Sequence, residues 1–173
     1  MAPWITQPVP FNIGQGAAAA AAPAAFDTCT GFNTEYDPSS TGDSNIRATK
    51  IEATATGDVA YLSCDLENAT GNVIMALYAD DSGTPDALLG KTLETACVAG
   101  INKIALLSPV SIVNGVIYWI AFQNSASNNV KLTFGTPAGT SSYATNTPVM
   151  VIQDPFPSGA LLSRGYQLCI SGS

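Results

Sequence analysis

Residues 111–123 read Ser-Ile-Val-Asn-Gly-Val-Ile-Tyr-Trp-Ile-Ala-Phe-Gln, and this stretch decides the fold class. Asn114-Gly115 is the dipeptide best suited to a two-residue hairpin turn, because both positions tolerate positive φ. The runs on either side are short and rich in β-branched and aromatic residues, as strands are. The spacing therefore predicts a hairpin joining a strand at 110–113 to one at 116–123. In the second strand Val116, Tyr118, Ile120 and Phe122 share one face, and Ile117, Trp119 and Ala121 share the other. Both faces are apolar, so this strand lies at the centre of a sandwich or beneath another subunit.

The same texture extends in both directions. Runs at 46–55, 59–66, 72–79, 88–97, 103–107, 130–135, 149–153 and 161–170 also read as strands, with breaks at Thr56-Gly57-Asp58 and Thr70-Gly71-Asn72. In the 130–135 run Val130, Leu132 and Phe134 alternate with Lys131 and Thr133, as in a strand with one wet face. No long helical period is visible. Hydrophobic residues form 46% of the chain and charged residues only 11%, a balance that suits strands and turns better than surface helices. At 173 residues the chain has material for one domain. The expected fold is an all-β antiparallel sandwich over 26–173, preceded by an extended arm over 1–25.

The arm reads MAPWITQPVPFNIGQGAAAAAAPAA. Its prolines and its Gly-Gln-Gly break set it apart from the sandwich, and its alanine run is too short to hold a helix by itself in water. Trp4, Ile5, Val9, Phe11 and Ile13 are spaced as in an extended segment laid on another surface; the other reading is a terminal tail.

Within the segment from Asn72 to Ser125, a strand ending in Ala76–Asp81 leads into Gly83-Thr84-Pro85 and then Leu88-Leu89. Leu107–Val110, Gly115 and Tyr118–Ala121 follow. This order resembles jelly-roll domains of secreted, cell-surface and phage-borne proteins. The resemblance implies a jelly-roll-like sandwich and leaves the ligand open, since domains of this shape serve as carbohydrate-binding modules, adhesins, fibre heads and capsid decorations. The Pro/Ala-rich arm and the absence of a basic residue before Arg47 differ from secreted members and look like a virion structural protein.

Charge and chemistry narrow the function. A net charge of -7 repels a phosphate backbone and argues against nucleic acid as a partner. No apolar run approaches the roughly 18 residues that cross a bilayer, so membrane insertion is not expected. The chain has no histidine, which removes the usual general base for a Ser or Cys nucleophile, and it carries no P-loop, GxGxxG or GxSxG. The expectation is therefore a protein that is not an enzyme.

Binding candidates are few. Asp80, Asp81 and Asp86 lie on one short loop with Ser82 and Thr84, a set of hard oxygen ligands suited to calcium, and equally the composition of a plain turn. Glu35–Asp43 has the same ambiguity. Trp119 and Tyr118 are candidates for stacking on a sugar ring, with core packing as the alternative. Asn68-Ala69-Thr70 fits the N-glycosylation pattern, which matters only in a secretory pathway.

Four cysteines without histidine or a CxxC pair favour disulfides over zinc. Cys64 shares its phase with Leu62 and Leu66, and Cys97 with Leu93, whereas Cys169 alternates against Leu168 and Ile170. The expected pairs are Cys64 with Cys97 and Cys29 with Cys169. Together these features point to a virion component, a decoration, collar or fibre, that forms a homo-oligomer or sits on a lattice. The rival readings are an extracellular filament or surface-layer subunit assembling by strand donation, and a carbohydrate-binding module or adhesin. Each places the protein on a virion or extracellular surface.

Overall fold

A computed structural model describes residues 27–29, 36–37, 45–68, 70–126, 130–131, 141–144, 147–148, 150–162, 165–166 and 168–172. The strands are β1 (Asp27–Cys29), β2 (Tyr36–Asp37), β3 (Ile46–Glu52), β4 (Gly57–Leu66), β5 (Asn72–Asp81), β6 (Thr84–Lys91) and β7 (Thr95–Ala96). They continue as β8 (Gly100–Ile112), β9 (Ile117–Asn124), β10 (Val130–Lys131), β11 (Ser141–Ala144), β12 (Ala160–Leu162) and β13 (Leu168–Gly172). No helix occurs among the described residues. The N-terminal arm lies outside them.

Two antiparallel sheets form a sandwich. The six-stranded sheet has β4 at its centre, with β8 on one flank and β13, then β1, on the other; β10 meets β4 at Leu66 and carries β2. The seven-stranded sheet runs β12-β11-β3-β9-β5-β6, with β7 also on β5. The chain crosses between the two sheets repeatedly, as from β3 to β4, from β4 to β5 and from β8 to β9.

The Asn114-Gly115 turn is a correction. It does not close a hairpin, because β8 pairs with β4 in one sheet while β9 pairs with β3 and β5 in the other. Gly115 has φ +78° and Asn114 is not among the positive-φ residues, so only the second central position is left-handed. That is the type II pattern, with Val116 N–H donating to the Val113 carbonyl at 3.1 Å. A turn of this type splays its flanking strands instead of pairing them. The corner is pinned to the chain after β3, where Ala53 donates to Val116 and accepts from Gly115. The primed two-residue hairpin lies instead at Ser82-Gly83, with φ of 52° and 90°, joining β5 to β6.

Other boundaries also move. The runs at 103–107 and 110–113 are one strand, β8, which leaves β4 in a bulge between the pairs Val59↔Val110 and Tyr61↔Ala105. There Leu106 bridges Thr92, and Gly90 lets β6 come close, since a Cβ on it would lie 2.6 Å from Val110. The 88–97 run divides between β6 and β7, and the 161–170 run between β12 and β13.

Alternation then sorts the core. Leu62, Cys64 and Leu66 of β4, Val73, Met75 and Leu77 of β5, Tyr118, Ile120 and Phe122 of β9, and Leu168 and Ile170 of β13 fill the space between the sheets. Arg47 and Thr49 of β3 face the same space. They are accommodated by Tyr166, whose hydroxyl accepts from Arg47, whose backbone N–H donates to Thr49 Oγ1, and whose ring stands edge-on to Phe122.

The second apolar face of β9 is covered by the chain itself and not by another subunit. Of the run at 149–153, expected as a strand, Val149 lies outside the described residues, and 150–153 belong to an irregular strap in which Met150, Ile152 and Phe156 pack on Ile46, Ala48, Ile74, Ala76, Tyr78, Trp119 and Ala121. Hydrogen bonds secure it: Tyr78 Oη to the Gln153 carbonyl (2.7 Å), Leu88 N–H to Asp154 (3.0 Å), and Phe156 N–H to the Asp86 carbonyl (2.8 Å). A strap cannot be a strand here, since its polar groups bond side chains and strand ends instead of a neighbouring ladder.

Gly115→Ala should lower stability by about 1–2 kcal/mol, because a Cβ there meets no atom within 4 Å and the cost is that of left-handed backbone alone. Urea unfolding measures it; an unchanged midpoint would contradict the corner geometry.

Candidate functional site

The outer face of the six-stranded sheet carries a groove, and strand register places every residue in it. Outward positions line up in rows across the sheet. One row is Cys29–Cys169–Ser63–Lys103 and the next is Asp27–Ser171–Tyr61–Ala105, with Asp65 beside Ile101 on the other side of the first. Asp27, Cys29, Ser63, Cys64, Asp65, Ile101, Lys103, Cys169 and Ser171 enclose a volume of about 330 Å³.

Its floor and rim differ in chemistry. Ser63, Asp65 and Ser171 are buried at the floor and supply hydroxyl and carboxylate oxygens. At the rim Ile101 is 68% exposed. Lys103 Nζ lies 3.9 Å from Asp27 and 5.1 Å from the centre of the Tyr61 ring. An ion pair this exposed contributes little stability and is easily moved. The groove is therefore a half-open slot with an apolar wall, hydrogen-bonding groups below and one mobile cation above, suited to holding an uncharged extended segment. Its signal in sequence was the phase of β4, where Ser63 and Asp65 interrupt Leu62, Cys64 and Leu66; which strands flank that phase was not legible.

The disulfide forms one wall. Cys29 and Cys169 are directly opposed in β1 and β13 with Cα atoms 4.1 Å apart, and their bond closes a separation of 140 residues. This is the pair expected from strand phase. The other expected pair is corrected: Cys64 and Cys97 are free, buried thiols. Cys64 faces the inter-sheet core, and its neighbours across the sheet are Asn102 and Leu168, so Cys97, beyond β7, is on neither adjoining strand. Burial pushes the Cys64 thiol far above the ordinary thiol range, with the nearby Cys97 and Asp65 adding to the shift, and burial raises Cys97 too.

The remaining candidates are placed plainly. Asp80 accepts from the Trp119 indole N–H at 2.7 Å and from Gly83 N–H at 3.1 Å, so its two oxygens organise the hairpin. Asp81 and Asp86 are exposed, and among the described residues no three acidic, Cys or His side chains gather where a metal ion would sit. The calcium set Asp80, Asp81 and Asp86 is thus not assembled. Trp119 is fully buried, and Tyr118 is buried with its hydroxyl accepting from Val113 N–H, so neither presents a ring face to a sugar. The assembly residues Trp4, Ile5, Val9, Phe11 and Ile13 lie outside the described residues, as does most of Glu35–Asp43. Asn68 and Thr70 are exposed, and Ala69 between them lies outside the described residues.

Asp80→Ala should cost about 1–3 kcal/mol by leaving the buried indole N–H of Trp119 without its acceptor, and millimolar calcium should leave the melting temperature of the unaltered chain where it was. A calcium-dependent rise would show a site that this geometry does not supply.

Thiol chemistry has a definite pH sense. The Cys64 proton is held more tightly in the folded chain than at the ordinary value of 9.0. Its contribution to stability is whole below that value and declines above it, as the unfolded chain releases the proton. Urea midpoints should be flat through neutral pH and fall above about 9, less steeply in Cys64→Ala. A thiol reagent should react with Cys64 and Cys97 only after unfolding.

Compared with known families, curated proteins and solved structures, the chain matches no family model, no curated protein and no solved structure, so its functional reading rests on its own residues.

Proposed function

We propose that the chain is a non-enzymatic structural subunit of an exposed particle, a virion decoration, collar or fibre component, whose sandwich body is displayed while the arm over 1–25 docks on a neighbour. The observation that carries this reading is the asymmetry of the two outer faces. The strap covers the outer face of β3, β5 and β9 in the seven-stranded sheet, whereas among the described residues the six-stranded one keeps a groove with Ile101 at its rim. Exposed apolar side chains beside a preformed slot are what an assembling subunit presents. A disulfide between strands fits a protein that works outside a reducing cytosol. The absence of histidine supports a role without acid–base catalysis.

The filament reading shares the arm and differs in having it complete a sheet as an added strand. The carbohydrate-binding reading loses support with the burial of Trp119 and Tyr118.

Deleting residues 2–25 should leave the thermal unfolding of the body unchanged within a few degrees and abolish the rings, filaments or lattice-bound particles formed by the full chain. Negative-stain microscopy and mass determination on both chains check it. Equal assembly by the two would remove the arm from the mechanism.

A further inference from the structure

We infer that the groove on the six-stranded sheet is the receptor for the arm of a second copy, with Phe11 seated in the slot and Val9 and Ile13 on either side. This rests on the reading of the chain as an assembling subunit, and it names the surface that receives the arm.

Direction is the first support. β1 runs from Asp27, in the row of Ser171 and Tyr61, to Cys29, in the row of Ser63 and Lys103. The groove extends onward in that direction, to Asp65 and Ile101. The N-terminal end of β1 therefore points away from the slot, and an arm entering at Asp27 must reverse to occupy its own groove. A neighbour's arm needs no reversal.

Length and chemistry agree. Twenty-six residues extended at roughly 3.3 Å each reach on the order of 85 Å, several times the separation of two packed sheets. Residues 1–25 carry no charged side chain, and Val9, Phe11 and Ile13 alternate with Pro10 and Asn12. An uncharged extended segment of this kind presents its apolar side chains to Ile101 and the disulfide, and the backbone N–H groups it has outside Pro10 to the hydroxyls of Ser63 and Ser171. A volume of about 330 Å³, at about 30 Å³ for each liquid water, accepts one or two side chains. Phe11 is the largest of the three alternating residues. The ion pair between Lys103 and Asp27 lies at the rim, where it can part to admit the segment and close over it.

The test uses the full chain with a benzophenone amino acid at position 11, prepared in equal amounts as ¹⁴N and ¹⁵N protein, assembled, irradiated and mapped by mass spectrometry. Cross-links from one isotope to residues 63–65, 101–103 or 169–171 of the other are expected. Ile101→Asp, at a site exposed enough to spare the fold, should raise the concentration for half-assembly at least tenfold with the melting temperature unchanged.

Cross-links found only within one isotope, with no mixed-isotope product, would show that the arm folds onto its own body and would overturn the inference. So would cross-links to another surface, or assembly by Ile101→Asp at the original concentration; in both cases assembly through the arm would still stand. A full chain that stays monomeric under all conditions overturns both this inference and the reading on which it rests.

Discussion

Strand β9 has two apolar faces, and both must leave water. Tyr118, Ile120 and Phe122 are covered by the opposing sheet, and Trp119 and Ala121 by the strap. A Trp and a Phe left exposed would each forfeit several kcal/mol of transfer free energy, so the architecture is arranged around this strand. β3 and β5 flank it in the ladder, β4, β8 and β13 face it, and residues 150–156 close over its back. Some of the polar groups caught in this burial are met by distant segments. The indole N–H of Trp119 reaches Asp80, and Gln123 donates to Thr147 and to the Pro148 carbonyl.

One consequence is an asymmetry that bears on function. Chain spent on covering the back of β9 is not available to cover the back of β4, whose outward residues are Tyr61, Ser63 and Asp65 and whose neighbours include Ile101 and Lys103. That face is polar enough to meet water and apolar enough at its rim to meet a partner. The Cys29–Cys169 bond holds β1, a strand of only three residues, against β13, so the wall of the groove does not depend on three backbone pairs alone. The same sheet separates the disulfide on its outer face from the Cys64 thiol on its inner one.

Much of this was legible, and the parts that were not share a cause. Alternation identified β4, β5 and β9 and put Cys64 inward and Cys169 outward, because phase along a strand is local. The Asn114-Gly115 turn was misread as a hairpin because the same dipeptide serves type I′ and type II turns, and the choice depends on whether β8 finds β9 or β4. Trp119 and Tyr118 looked like binding aromatics because their covers, the strap and the opposing sheet, lie far away in sequence. Asp80, Asp81 and Asp86 looked like ligands because a hairpin turn and a cation loop draw on the same residues.

The sequence by itself determined that the chain forms strands, which residues of each strand share a face, that one strand is apolar on both faces, and that histidine chemistry is absent. Those are properties of short windows and of composition. Only the tertiary structure decided which strands pair, which turn crosses between sheets, what covers Trp119, which cysteines bond, and where a face stays open. Each of those depends on contacts between distant segments, such as Cys29 with Cys169 at a separation of 140 residues and Leu88 with Asp154 at 66. Such contacts are selected by the burial of the whole core, and no local pattern carries them.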